Sequence, residues 1–187
     1  MAETREYKGI ALIRAEPPCG MITLRGGPDA AKGLATAGKR LGVKMPGPLG
    51  AELKDDRGLL WMSPDEVLML CPAEDVPDHL DALRGALKGH HAMAVDTSDM
   101  RVRFSVSGAH AREVLAKLCP LDLAPDRFGP GHVRRTRLGQ VAAAIWMRGD
   151  GAFEVICFRS VGQYVLDLLQ VAAAPGSEVH LFSQPVG

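Results

Sequence analysis

The 187-residue chain has no surplus of either charge: 22 Lys and Arg stand against 22 Asp and Glu. Nucleic-acid binders rely on a basic excess to neutralise phosphates, so this balance speaks against a DNA or RNA partner. Nothing approaches the roughly 20 consecutive apolar residues that span a bilayer. The longest candidate, Val141–Met147, is only strand-length. Cysteines are few and dispersed (Cys19, Cys71, Cys119, Cys157), with no CxxC pair. That argues against a zinc site and fits thiols in a reducing cytosol. The opening residues are charged and lead into no apolar run, so no signal peptide is expected and the reading is cytoplasmic, with no membrane partner. Also missing are the nucleophile elbow GxSxG, the zinc helix HExxH, the P-loop and the GxGxxG fingerprint.

What is present is self-similarity, which bears on the whole fold. The only two tryptophans, Trp61 and Trp146, each open a Trp-Met pair and lie 85 residues apart. Cys71 and Cys157, Leu80 and Leu166, and Leu83 and Leu169 each lie 86 apart. Upstream, Gly27 and Gly108, and Leu34 and Leu115, lie 81 apart. Such a drift is what small loop insertions produce. The expectation is one domain, 1–187, built from two pseudo-repeats at about 10–97 and 98–174 with a short C-terminal tail.

Within each repeat the pattern reads strand, helix, hairpin, helix. Residues 22–25 suit a strand, and Asp29 is placed to cap the helix carrying Leu34, Ala37 and Leu41, which Gly42 stops. Residues 59–62 and 67–71 read as a hairpin around Pro64, followed by a helix with Val76, Leu80, Leu83 and Leu87 on one stripe. A strand at 92–96 follows. In the second copy Arg101, Arg103, Ser105 and Ser107 alternate with Val102, Phe104 and Val106, a strict period of two. A helix with Ala111, Val114, Leu115 and Leu118 comes next. Strands at 133–137, 141–147 and 153–158 and a last helix through Val165 and Leu169 complete the copy. Hairpins in place of alternating βαβ units point to an α+β fold with a largely antiparallel sheet.

Chemistry-bearing groups are sparse. Gly26, Gly27 and Pro28 before a helix could seat an anion on free amides, although a plain helix start uses the same residues. The histidines (His79, His90, His91, His110, His132, His180) lack metal-ligand spacing, and a surface placement is expected, His79 on the polar side of its helix. Asp96, Thr97, Ser98 and Asp99 could hold paired carboxylates for acid–base work or simply form a turn. Arg134, Arg135 and Arg137 form the one dense basic cluster, with Arg135 and Arg137 on one strand face and Arg134 on the other. They suit either a carboxylate-bearing partner surface or a charged sheet edge. No self-contained active site emerges.

The run 95–123, with Asp96, Ser98, Gly108, Ala111 and Asp122, closely resembles the gamma subunit family of heterotetrameric sarcosine oxidase. So do the stretch from Arg135 to Gly139 and Phe158, Arg159 and Ser160 ahead of Tyr164. That family in turn looks like the folate-binding domain of glycine-cleavage aminomethyltransferases, an internally duplicated α+β fold. The resemblance implies a structural chain, itself without catalytic, cofactor-binding or metal residues, that associates with alpha, beta and delta subunits. The complex is an oxidoreductase of CH–NH donors. It demethylates sarcosine to glycine, formaldehyde or methylene-tetrahydrofolate, and hydrogen peroxide. FAD, FMN, NAD and tetrahydrofolate are implied for the complex, on other chains. Arg134, Arg135 and Arg137 become candidates for the subunit interface. The folate enzymes bear a catalytic aspartate on a Gly-rich hairpin, whereas no acid occurs here between Gly129 and Gly149. A free-standing folate-binding one-carbon-transfer protein is the alternative.

Overall fold

Period-two runs dominate the chain, and they assemble into two sheets rather than one. The structure, a computed structural model, describes residues 6–182. The first five residues, on which the signal-peptide expectation partly rests, and the last five of the tail lie outside the described residues. The chain divides into two compact units. One comprises Met1–Pro17, Arg101–Pro130 and Arg135–Gly187, and the other Pro18–Met100 and Gly131–Arg134.

The second of these holds strands β3 (Gly20–Gly26), β4 (Ala51–Lys54), β5 (Arg57–Ser63), β6 (Glu66–Cys71) and β7 (Ala92–Asp96), with helices α1 (Ala31–Leu41) and α2 (Val76–Ala86). The sheet order is β4-β5-β6-β3-β7, with every neighbour antiparallel. Alternation puts Ile22 and Leu24 of β3, Leu59 of β5 and Val67 and Met69 of β6 against Ala37 and Leu41 of α1 and Leu83 of α2. Ile22, Leu24, Leu59, Met69 and Leu83 are fully buried, each worth about 1.5–3 kcal/mol relative to exposure. Helix α1 ends as expected at Gly42, whose left-handed backbone (φ +67°) returns its N–H to the Gly38 carbonyl.

Two expectations for this unit are corrected. Asp29 caps nothing: Pro28 starts a 3₁₀ turn that takes Asp29 into its first turn, and no side chain bonds the helix start. His79 is not on the surface but 5% exposed, where its Nδ1 accepts a 2.7 Å hydrogen bond from Arg40 Nε. Its place is set by spacing, three residues after Val76 and four before Leu83, both buried on the inner stripe of α2.

The other unit holds β1 (Glu6–Lys8), β2 (Leu12–Ala15), β8 (Arg101–Ser107), β9 (Val133–Leu138), β10 (Val141–Met147) and β11 (Phe153–Phe158), with α3 (Ala111–Ala116) and α4 (Gly162–Ala172). The two leading residues of β9 fall in the five-stranded unit. The order is β1-β2-β8-β11-β10-β9. Phe104 and Val106, Ile145, and Phe153 and Val155 from three strands meet Val165 and Leu169 of α4, Val114 and Leu115 of α3, and Phe128 from the loop before β9. That loop is fastened by Arg112. Its Nη1 donates to the carbonyls of Leu123 and Phe128, each at 2.7 Å, and its guanidinium lies 5.2 Å from the centre of the Phe153 ring.

The two sheets share one strand order. Taken from the hairpin side they run β4-β5-β6-β3-β7 and β9-β10-β11-β8-β2, after which β1 adds a sixth strand. Cys71 and Cys157 occupy matching positions, opposite Gly20 of β3 and Val102 of β8. The fifth place is filled differently: β7 follows α2 along the chain, whereas β2 precedes β8.

Candidate functional site

The alternating strand β8 gives the six-stranded unit its polar cluster. Phe104 and Val106 face the core, so Arg103 and Ser105 share the opposite face. Pairing sets Ser105 across from Glu154 of β11 on one side and Arg14 of β2 on the other. Glu154 is only 2% exposed. Its Oε1 accepts a 3.1 Å hydrogen bond from Arg148 Nη1, while Arg103 Nε lies 3.5 Å from Oε2, near enough to pair by charge but off line for a hydrogen bond. Burial pushes the Glu154 carboxyl above its usual range, against the pull of Arg103 and Arg148. Ser105 Oγ donates to Glu16 Oε1. Beside the cluster lies a cavity of about 210 Å³ lined in part by Glu16, Arg103, Arg159 and Gln163.

A larger cleft, about 600 Å³, opens in the five-stranded unit between Arg25, Gly26 and Gly27 and the segment His90, His91, Ala92 and Met93. Two of its basic side chains already face acids. Arg25 Nη2 is 2.7 Å from Asp65 Oδ2, and His90 Nδ1 is 3.7 Å from Asp29 Oδ2. This cleft has the Gly26–Gly27 turn but not the unneutralised charge that an anion site needs.

The connector at Asp96 is a turn. Asp96 Oδ1 accepts from Ser98 N and Oγ, Ser98 Oγ accepts from Met21 N, and the Thr97 and Thr23 hydroxyls lie 3.0 Å apart. These are backbone-satisfying bonds of the kind Asp, Ser and Thr make in turns. The thiols of Cys71 and Cys157 are pushed up by burial, to about 12 and about 11, and Cys119 is raised as well. Thiols this far from ionising are poor nucleophiles at neutral pH. Among the described residues, no group of three or more His, Cys, Asp or Glu is placed to hold a metal ion.

On β9 the basic residues divide as their alternation dictates. Arg135 and Arg137 are exposed, and Arg134 is half-buried with Nη1 donating to the carbonyls of Leu49 and Val133. Arg137 Nη2 donates to the Gln140 carbonyl across the turn into β10. That turn is Gly139 and Gln140. A Cβ on Gly139 would come within 3.0 Å of Leu168 Cδ1 and Tyr164 Oη. No carboxylate stands between Gly129 and Gly149, so the residues there do not fit the folate-directed aspartate expected of this hairpin in the folate enzymes.

Sequence reasoning missed Glu113. On α3 it is 4% exposed, and its Oε1 accepts from the backbone N–H of Val179, with Lys117 at 3.8 Å and His110 at 3.7 Å from its carboxylate. Burial raises its carboxyl, but the Val179 amide, Lys117 and His110 outweigh that and hold it below the usual range. Its i,i+4 spacing to Lys117 was legible; the distant tail amide was not.

The sarcosine oxidase gamma subunit family profile matches residues 26–175. The gamma subunit of sarcosine oxidase from Corynebacterium sp. (strain U-96) is 33% identical over 126 residues, 66% of this chain and 60% of that protein. The Arthrobacter sp. gamma subunit is 29% identical over 150 residues, 79% of this chain and 72% of that one. The match thus spans about 60% of the length of the first of these relatives. Among solved structures, a chain of heterotetrameric sarcosine oxidase from Corynebacterium sp. U-96, in complex with pyrrole 2-carboxylate, superposes with a TM-score of 0.80. It is 27% identical, with 90% of this chain and 87% of that chain covered. Glycine cleavage system aminomethyltransferase T from Bartonella henselae superposes with a TM-score of 0.56 at 15% identity, covering 81% and 43%. That likeness concerns the fold alone and agrees with an α+β, folate-binding-domain-like architecture of antiparallel sheets. With its profile matched across most of the chain, this protein belongs to the sarcosine oxidase gamma subunit family.

Proposed function

We propose that this chain is the gamma subunit of a heterotetrameric sarcosine oxidase and serves the complex as a structural chain, associating with alpha, beta and delta subunits in the cytoplasm. The observation that carries the reading is the 0.80 superposition on a chain of that complex over 90% of the present one. The reaction assigned to the whole complex is oxidative demethylation of sarcosine to glycine, with formaldehyde or methylene-tetrahydrofolate and hydrogen peroxide. FAD, FMN, NAD and tetrahydrofolate are assigned to the other chains. This chain's ionisable clusters support a non-catalytic role, because Glu154, Arg25 and Glu113 are each engaged with opposite charge. The shared strand order of the two sheets supports an origin by duplication.

Arg135 and Arg137 are the proposed contact residues on β9, with Arg134 bracing the strand from its other face. The decisive experiment is co-expression of the four chains. The expected result is stoichiometric co-purification, a colourless chain when purified alone, and weakened assembly for the Arg135→Glu, Arg137→Glu variant. Failure of the wild-type chain to associate overturns the subunit reading. A flat calorimetric titration with tetrahydrofolate is expected for the isolated chain, and saturable binding there would instead favour a folate-binding protein acting alone.

A further inference from the structure

Strand β7 lacks the devices that keep a sheet edge from pairing with another chain. At the opposite edge of its sheet, β4 is covered: Ala51 N–H donates to the Gly131 carbonyl, Val133 N–H to the Leu49 carbonyl, and Gly50 bridges His132. In the other sheet, β1 is three residues long and presents Glu6 and Lys8, and β9 carries Arg134, Arg135 and Arg137. Strand β7 runs Ala92, Met93, Ala94, Val95 before its first charge at Asp96, with no proline and an unbroken register to β3. Among the described residues, no strand pairs with its outer side. Met93 is 44% exposed and Val95 38%.

The six-stranded sheet shows what such a position accepts. Phe104 of β8 faces Ala15 of β2, as Ile22 of β3 faces Asp96 of β7. By that register Leu12, Ile13 and Arg14 correspond to Met93, Ala94 and Val95. Outside the first three lies β1, with Lys8, Tyr7 and Glu6 opposite them, Tyr7 packed on the core and Glu6 bonded to Arg14 at 2.7 Å. The same architecture therefore holds a sixth strand on one sheet and leaves the matching edge of the other exposed and apolar.

We infer that β7 receives an extended segment of another chain of the oxidase, antiparallel to it, in the place that β1 occupies beside β2. The inference rests on the subunit reading above and names the surface it uses. Backbone bonds supply the affinity of such strand addition, and alternate side chains supply its selectivity. The segment carries apolar residues at the two positions facing Met93 and Val95, where β1 has Lys8 and Glu6. Charge sets its direction. Asp96 and Asp99 flank the C-terminal end of β7. A basic residue of the segment therefore precedes the apolar pair.

The test uses the complete complex. Met93→Lys with Val95→Lys alters two exposed side chains and installs the charges that block edges. The variant is expected to melt as wild type yet to assemble at least tenfold more weakly. In the wild-type chain, amide exchange over 92–96 is expected to slow at least tenfold on assembly. Wild-type stoichiometry for the variant, or unchanged exchange at 92–96 in an assembled wild-type complex, overturns the strand-addition inference alone. Absence of any wild-type assembly overturns the subunit reading with it. An isolated wild-type dimer that the double substitution dissolves assigns the edge to a second copy and overturns the inference as well.

Discussion

Replacing Arg112 by Ala should destabilise the six-stranded unit by about 3 kcal/mol. Arg112 fastens the loop between α3 and β9 through two charge-assisted hydrogen bonds to the carbonyls of Leu123 and Phe128. Bonds to a charged group contribute about 1.5–3 kcal/mol each. The guanidinium over the Phe153 ring adds about 0.5–2 kcal/mol. Against this stands the cost of partly burying the cation, which lowers the Arg112 pKa. The net loss on truncation is then about 2–4 kcal/mol, with two carbonyls left without a donor. For a chain of this length each kcal/mol shifts the melting point by about 2–4 °C, so a drop of about 6–12 °C is expected. The change lies in one of two units, so Trp146 fluorescence in a Trp61→Phe background is the suitable probe, since Trp146 belongs to the affected unit and Trp61 does not. Arg112→Lys, which keeps the charge but loses the planar guanidinium over the Phe153 ring, should lose about half as much. An Ala variant within about 0.5 kcal/mol of wild type, the scale of ordinary surface substitutions, would refute the argument.

Two further expectations concern single positions. Burial, then the charge of Arg40, lowers the His79 pKa, so the folded state holds that proton less tightly than the unfolded chain. Its stabilising contribution is present above the unfolded value of about 6.5 and is lost as pH falls below it. Denaturation midpoints should accordingly decline as pH falls below about 6.5, and less steeply for His79→Gln; identical slopes in urea titrations would count against the assignment. Gly139→Ala forces a side chain into left-handed backbone (φ +58°) and within 3.0 Å of Leu168 and Tyr164. It should cost about 1–2 kcal/mol, and an unchanged midpoint in chemical denaturation would contradict that geometry.

Long, regular patterns were legible. The alternation of β8 and the stripes Val76, Leu83 and Val165, Leu169 gave the strands and helices that carry most of both cores. Strands β1, β2 and β4 were not, because three or four residues of mixed character hold no period. Strand β2 exists through pairing with a distant partner, Leu12 with Ser107, while β1 and β4 pair with the strands that follow them, β2 and β5. His79 was misplaced by judging its chemistry over its spacing, since its interval to Val76 and Leu83 already put it on the inner stripe. The cluster at Glu154 could not be read, because register brings Ser105 opposite it and a hairpin brings Arg148 back to it. The basic run on β9 was visible, but the Leu49 carbonyl that helps hold Arg134 becomes a neighbour only through the contact of 131–134 with 49–51.

Strand β2 belongs to a sheet whose members other than β1 are made much later. Leu12 pairs with Ser107, and β8 in turn with β11, which ends at Phe158. At about 5–20 residues per second, some 5–20 seconds of synthesis separate β2 from β8. Through that interval the segment with Leu12 and Ile13 has no sheet to join, although Ile13 is fully buried in the finished protein. Translation speed and chaperone occupancy over the first hundred residues thus become determinants of yield, and slowing elongation before β8 should increase aggregation of the nascent chain.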